Sequence, residues 1–229
     1  MKKPACMCLL AALAACLAGL AAGCAAVGER KGPPPTVACD DLVPPAAEAA
    51  PGVTGKHFVM NWMLLGPFTF KEEDFGGGHQ QAAIDKEFMP GEGRLDGTQK
   101  PPPGAAWRSM RFTGGDHMGM IDLDAFYGGI EHAAAYAVAW LDCPQDMPSA
   151  RLLVGSDDYI RIWVNGKLVH TYNKERRPGE QDQDAIAGVM LRKGPNRIVV
   201  KCVDVVLGWN FYFRLTDGQG RPIFVRPKL

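Results

Sequence analysis

The sequence has no surplus of either charge, since its 25 lysines and arginines balance its 25 aspartates and glutamates. A nucleic-acid-binding domain carries a basic surplus, and an acidic disordered chain carries a large net charge. We therefore expect no nucleic-acid partner. With 229 residues, 47% of them hydrophobic, the chain is long enough for one globular domain with a sizeable core.

Catalytic motifs are also missing from the sequence. It has no Gly-x-Ser-x-Gly elbow, no phosphate-binding Gly-rich loop between a strand and a helix, and no histidine pair at zinc-ligand spacing. Only two of the five histidines adjoin an acid, in Asp116–His117 and Glu131–His132. Adjacent residues on a strand point to opposite faces, so neither pair is well placed to act as an acid–base pair. We expect a protein that is not an enzyme.

Cysteines are few, and beyond Cys24 only Cys39, Cys143 and Cys202 remain. An odd number of cysteines cannot form a complete disulfide framework. A bridge between Cys143 and Cys202 is compatible with the sequence but is not required by it. Cys202 lies in an alternating apolar run, which is typical of a small buried side chain.

The N-terminus reads "MKKPACMCLLAALAACLAGLAAGC", two lysines followed by a continuous apolar run. This pattern is typical of an export signal, which we assign to residues 1–23. Small residues interrupt the run and a Pro-rich stretch follows it, so a retained anchor helix is the weaker alternative.

The signal ends in small residues directly before a cysteine, which resembles a bacterial lipobox. Cys24 follows a full-length apolar core, so we expect it to be lipidated; Cys16, or cleavage without a lipid, is the alternative. The chain would then be exported and held by its N-terminal lipid on a membrane of the cell envelope, periplasmic or at the outer surface.

Residues 24–53 are small, polar and Pro-rich. Such a segment buries too little apolar surface to offset its ordering entropy, so we expect a flexible linker. The folded domain is assigned to residues 54–229.

Within this domain, short alternating runs are separated by turn signals such as Asn165-Gly166, and helical periodicity is almost absent. The pattern predicts an all-β sandwich in which each sheet buries one face and exposes the other. Residues 71–105, rich in glycine and proline, are predicted to form a long surface excursion with one helical turn near residues 79–88.

Four segments resemble the galactose-binding-like jelly-roll domains, such as the sugar-binding domain of glycoside hydrolase family 2. They are "YAVAWLDCP", "ARLLVGSDDYIRIWVNGKLVH", "DQDAIAGVMLRKGPNRIVVKC" and "WNFYFRLTDGQG". The resemblance covers about residues 57–225 and implies a jelly-roll β-sandwich. The chain departs from the pattern at Pro195, where such domains commonly carry an aromatic residue.

The "GSDDYIRIWVNGK" hairpin is also similar to the protective-antigen-type β-sandwich domains. In the lectin members of that family, an Asp-Asp pair joined by a cis peptide binds calcium, which in turn binds sugar hydroxyls. The resemblance therefore implies a calcium site at Asp157 and Asp158. The alternative is that Ser156 and both carboxylates cap the turn backbone at this corner.

Two further groups of residues are candidates for contact with a ligand. Arg176, Asp182 and Asp184 lie in a strongly charged connection and could line a polar sugar site or a solvated loop. Trp209, with Asn210 beside it, opens a strand after a glycine and could stack on a sugar ring or pack in the core.

These features together indicate a non-catalytic binding module on a lipid-anchored linker. The expected ligand is a carbohydrate, such as an envelope polysaccharide, and this expectation comes from the resemblance. The alternative is a structural or protein-interaction lipoprotein whose partner is another envelope protein.

Overall fold

The computed structural model describes residues 56–75, 82–111, 119–223 and 226–227. The signal peptide, Cys24 and the linker of residues 24–53 lie outside these residues. Among the described residues, no helix has the length and apolarity needed to cross a bilayer.

The described residues form two antiparallel sheets, and this confirms the prediction of an all-β sandwich. The large sheet has the strand order β2-β1-β4-β9-β6-β7, with β11 paired to β4, and the small sheet has the order β3-β10-β5-β8. The strands are β1 (Asn61–Thr69), β2 (Ala106–Arg111), β3 (Met120–Asp122), β4 (Ala133–Cys143), β5 (Met147–Asp157), β6 (Tyr159–Val164), β7 (Lys167–Tyr172), β8 (Asp184–Leu191), β9 (Gly194–Asp204), β10 (Asn210–Thr216) and β11 (Arg226–Pro227).

Helical segments in the described residues are short. They are α1 (Ala82–Asp85), α2 (Leu123–Tyr127) and two 3₁₀ turns at Glu72–Phe75 and Glu92–Arg94. The α1 helix lies within the stretch where one helical turn is expected. The Asn165-Gly166 turn between β6 and β7 has positive φ at both residues, 51° and 83°, as a type I′ hairpin requires.

The main core lies between the two sheets. Trp62 of β1 is fully buried there, with its ring 5.2 Å and 5.5 Å from the rings of Phe211 and Phe213 on β10. Cys143 and Cys202 are both buried and both free, so the bridge that the sequence allows is not formed.

A second core covers the outer face of the large sheet, contrary to the expectation that each sheet exposes one face. On β4, Ala135 and Ala137 pack between the sheets, whereas Tyr136 and Val138 are equally buried on the other side. The cover comes from residues 82–95, which we call the outer layer. The predicted surface excursion is therefore partly a structural layer.

A buried lysine joins the outer layer to the sheet. The ammonium of Lys201 on β9 has no exposure to solvent and donates to the carbonyl oxygens of Ile84 (2.8 Å) and Lys86 (2.6 Å). It also lies 3.2 Å from the carboxylate of Glu92, which accepts a 2.7 Å hydrogen bond from the hydroxyl of Tyr136. Burial lowers the pKa of Lys201 to about 8, although Glu92 opposes this shift.

Replacing Lys201 should loosen the outer layer. In the Lys201→Met variant the two carbonyl groups lose the ammonium donor and the Glu92 carboxylate loses its buried cation, so we expect a loss of about 3–5 kcal/mol in the free energy of unfolding. Urea denaturation measures this loss. Adding Glu92→Gln to Lys201→Met should restore part of it, and the control Lys167→Met, at an exposed position, should change little. A loss for Lys201→Met no larger than that of the control would contradict this role.

Candidate functional site

The candidate site lies where the chain passes from the small sheet to the large one. Strand β5 ends at Asp157 and β6 begins at Tyr159, and the peptide bond between Asp157 and Asp158 is cis. Two loops meet this point: the β7–β8 loop (residues 173–183) and the β9–β10 loop (residues 205–209). We call the aspartate pair and these two loops the acidic corner.

Asp158 is the buried member of the pair, with 1% of its surface exposed. The Nε of Arg176 lies 3.2 Å from each of its carboxylate oxygens, and the backbone N–H of Val205 donates to Oδ2 at 3.0 Å. Arg176 also donates from Nη2 to the carbonyl oxygen of Val206 at 2.6 Å. The Asp158–Arg176 pair therefore ties the two loops together.

Asp157 is the partly exposed member, and its cross-strand partner on β10 is Asn210. Both side chains lie against glycines, since a Cβ on Gly208 would overlap Asp157 Oδ2 and one on Gly179 would overlap Asn210 Oδ1. Among the described residues, Asn210 Oδ1 has no hydrogen-bond partner. Burial and the adjacent charge of Asp158 raise the pKa of Asp157 to about 7. A carboxyl group and an amide whose oxygen is buried without a hydrogen-bond partner are thus cross-strand neighbours at this corner.

Asp204, at the end of β9, adds a further acid to this region of the domain. Its side chain is 1% exposed, and burial together with Glu131 raises its pKa to about 8. The charges of both Asp157 and Asp158 contribute to this shift in the same direction. Sequence reasoning missed Asp204 because it follows a run of apolar strand residues and belongs to no motif.

Leu207, in the β9–β10 loop, is a second residue that sequence reasoning missed. It is 79% exposed and has a φ of 82°, a conformation that costs a residue with a Cβ about 1–3 kcal/mol. Its backbone N–H donates to the carboxylate of Glu131 at 2.8 Å. The loop therefore holds an apolar side chain in solvent at the acidic corner.

The side chains at the acidic corner do not fit the calcium ion that the resemblance implies. Calcium takes six to eight oxygen ligands in proteins. Both carboxylate oxygens of Asp158 already face the Arg176 guanidinium. In the part of the chain that the structure describes, no group of three or more His, Cys, Asp or Glu side chains could hold a metal ion.

Asp182 and Asp184 are engaged in ion pairs that fasten the β7–β8 loop to the sheets. Asp182 accepts from Arg214 on β10 at 2.7 Å and pairs with Lys56 at 2.9 Å. Hydrogen bonding to Arg214 lowers the pKa of Asp182 despite partial burial. Asp184 pairs with Arg177 at 2.5 Å. The structure therefore brings Asp157, Asp158, Arg176 and Asn210 together, and gives Asp182 and Asp184 another role.

Trp209 does not present a face to a sugar, which corrects one of the two alternatives considered for it. It is 1% exposed, and its ring stacks on Tyr127 with the centroids 5.1 Å apart and the planes 23° apart. Trp62 and Trp163 are likewise buried, and Trp107 and Trp140 are partly buried. All five tryptophans thus pack within the domain more than they are exposed to a ligand.

Comparison with known proteins gives similarities in structure only. No family model and no curated protein matches the chain. It is similar to the PA14 domain of the MpAFP antifreeze protein (18% identity, TM-score 0.31), covering 41% of this chain and 47% of that one. It is also similar to the PA14 sugar-binding domain of an RTX adhesin (14% identity, TM-score 0.41), covering 74% of this chain and 99% of that one. A third similar structure is a β-glucuronidase of an uncultured Clostridium species (13% identity, TM-score 0.34), covering 66% of this chain and 22% of that one. At these TM-scores the similarities do not establish a family.

The conformation of Leu207 can be tested by its effect on stability. Glycine adopts a φ of 82° without the steric cost of a Cβ, so Leu207→Gly should stabilise the fold by about 1 kcal/mol or leave it unchanged. Urea denaturation measures the difference. The matched control is Leu168→Gly in β7, also exposed, which should destabilise the fold because glycine weakens a strand interior. Equal destabilisation by both substitutions would show that Leu207 is not strained.

Proposed function

We propose that this chain is an exported, lipid-anchored, non-catalytic module that binds carbohydrate at the acidic corner. The observation that carries the proposal is that Asp157 and Asn210 are cross-strand partners and partly exposed residues, and that the buried amide oxygen of Asn210 has no hydrogen-bond partner among the described residues. Exposed Leu207 stands on the adjoining loop. These three side chains offer hydroxyl-binding groups and an apolar contact together.

This combination suits a sugar because a sugar ring has hydroxyl groups at its edge and C–H groups on its faces. Ligand sites generally join apolar surface to a few well-placed polar groups that fix orientation. The Asp157 carboxyl can accept from a hydroxyl, and the amide nitrogen of Asn210 can donate to one. The motif resemblance to galactose-binding-like jelly-roll domains supports the same class, with an envelope polysaccharide as the natural ligand.

A second candidate is a structural or protein-interaction role with another envelope protein as partner. One observation favours it: a groove of about 270 Å³ lies between β7 and β8 and is lined mainly by aliphatic side chains. Leu168 and Met190 beside it are 48% and 52% exposed. This groove is on a different part of the sandwich from Asp157, so variants at the two places separate the two roles.

A glycan array probed with the purified full chain tests the carbohydrate proposal. Binding to at least one glycan should fall about tenfold in Asp157→Asn and in Asn210→Ala, the loss expected for one hydrogen bond to a charged or polar group. Leu207→Gly should also weaken binding while keeping the fold.

The matched control for this experiment is Asp142→Asn, an exposed aspartate at the far end of β4, which should bind as the unmodified chain does. Probing the array with calcium and again with a chelator separates a metal-dependent lectin from a metal-independent one. Absence of binding to every glycan in both conditions would overturn the proposal and leave the protein-interaction role.

Anchoring through Cys24 has its own test in a bacterial host. The chain should incorporate radiolabelled palmitate and sediment with membranes, and Cys24→Ser should lose both properties because no thiol remains for the lipid. Cys16→Ser is the control and should keep them. Labelling that depends on Cys16, or no labelling of the unmodified chain, would contradict the assignment.

A further inference from the structure

The acidic corner contains a cation of its own, in the place where the resemblance predicts a metal. We propose that the guanidinium of Arg176 substitutes for calcium at the Asp157–Asp158 pair, so that the corner is assembled and works without a metal ion. The inference concerns how the corner is held together, and it does not depend on which ligand the corner binds.

The carboxylate of Asp158 is buried. A buried carboxylate needs a partner of opposite charge and hydrogen bonds to its remaining lone pairs. Arg176 Nε is equidistant from its two oxygens, at 3.2 Å, and the Val205 N–H supplies a second donor, to Oδ2. With 1% of its surface exposed, Asp158 has all of its partners from the chain itself.

The guanidinium of Arg176 contacts two kinds of oxygen. Its Nη2 donates to the carbonyl oxygen of Val206 while its Nε faces Asp158, so one side chain contacts a carboxylate and a loop carbonyl together. Carboxylates and backbone carbonyls are also the oxygen ligands that bind calcium in proteins. A calcium ion at this place would be repelled by the guanidinium and would compete with it for the same oxygens.

Among the described residues, few other oxygens remain near the aspartate pair for a metal ion. Asp157 is the partly exposed aspartate, and hydrogen bonding from the Gly179 backbone opposes the rise of its pKa. Its carboxylate and the Asn210 amide oxygen together fall well short of the six to eight ligands of calcium. Removal of the guanidinium would release the two oxygens of Asp158 and the carbonyl of Val206 to join them. The structure therefore predicts that loss of Arg176 creates a response to calcium.

Thermal unfolding of the full chain, in millimolar CaCl₂ and in EGTA, tests the inference without any glycan. The unmodified chain should melt at the same temperature in both conditions. Arg176→Asn should melt several degrees lower in EGTA and should regain at least part of that loss in CaCl₂. The control Arg192→Asn, at an exposed arginine, should match the unmodified chain in both conditions.

Two outcomes would overturn the inference. One is a melting temperature of the unmodified chain that rises with calcium and falls again with EGTA. The other is an Arg176→Asn variant as stable as the unmodified chain, because the guanidinium would then hold nothing together. The first outcome is read on the unmodified chain alone, so the inference stays open to refutation even if the variant does not fold.

Discussion

The buried ammonium of Lys201 is the interaction on which the rest of the structure depends. An unpaired charge inside a protein is too costly to persist, so Lys201 requires the carbonyl groups of Ile84 and Lys86 and the carboxylate of Glu92. These acceptors are available only when residues 82–95 lie on the large sheet. The outer layer is therefore held by the hydrogen bonds and the ion pair of Lys201 as well as by apolar burial.

The outer layer also constrains the strands that form the acidic corner. Strand β9 carries Lys201 on its outer face and ends at Asp204, and Val203 accepts from the backbone N–H of Asp158 at 3.1 Å. Strand β6 begins directly after Asp158 and sends Arg161 to Asp85 of the outer layer. Both strands that lead into the corner are thus fixed from the same side. The Asp157–Asp158 pair consequently adjoins two strands that contact the outer layer.

The sequence predicts most strands because alternation survives wherever one face of a strand meets the main core. Ile160 and Ile162 are inward and buried, as their spacing from Arg161 and Trp163 indicates. The same spacing is misleading about the other face, since Trp163 is 7% exposed beneath Gly93, where a Cβ would overlap its ring. The local sequence of β6 does not indicate that a segment seventy residues earlier in the chain covers this strand. The outer layer is a tertiary feature, and only a structure places it.

The acidic corner is likewise only partly predictable from the sequence. The motif identifies Asp157 and Asp158, but their partners come from two loops: the β7–β8 loop is strongly charged, and the β9–β10 loop is mostly apolar. Arg176 and Arg177 are consecutive, yet one pairs with Asp158 and the other with Asp184.

Arg176 pairs with Asp158 between β5 and β6, and Arg177 pairs with Asp184 on β8, so two ion pairs hold the β7–β8 loop to the sandwich. These ion pairs position the loop that borders the candidate site without any ligand. A ligand would therefore bind to an acidic corner that is already formed.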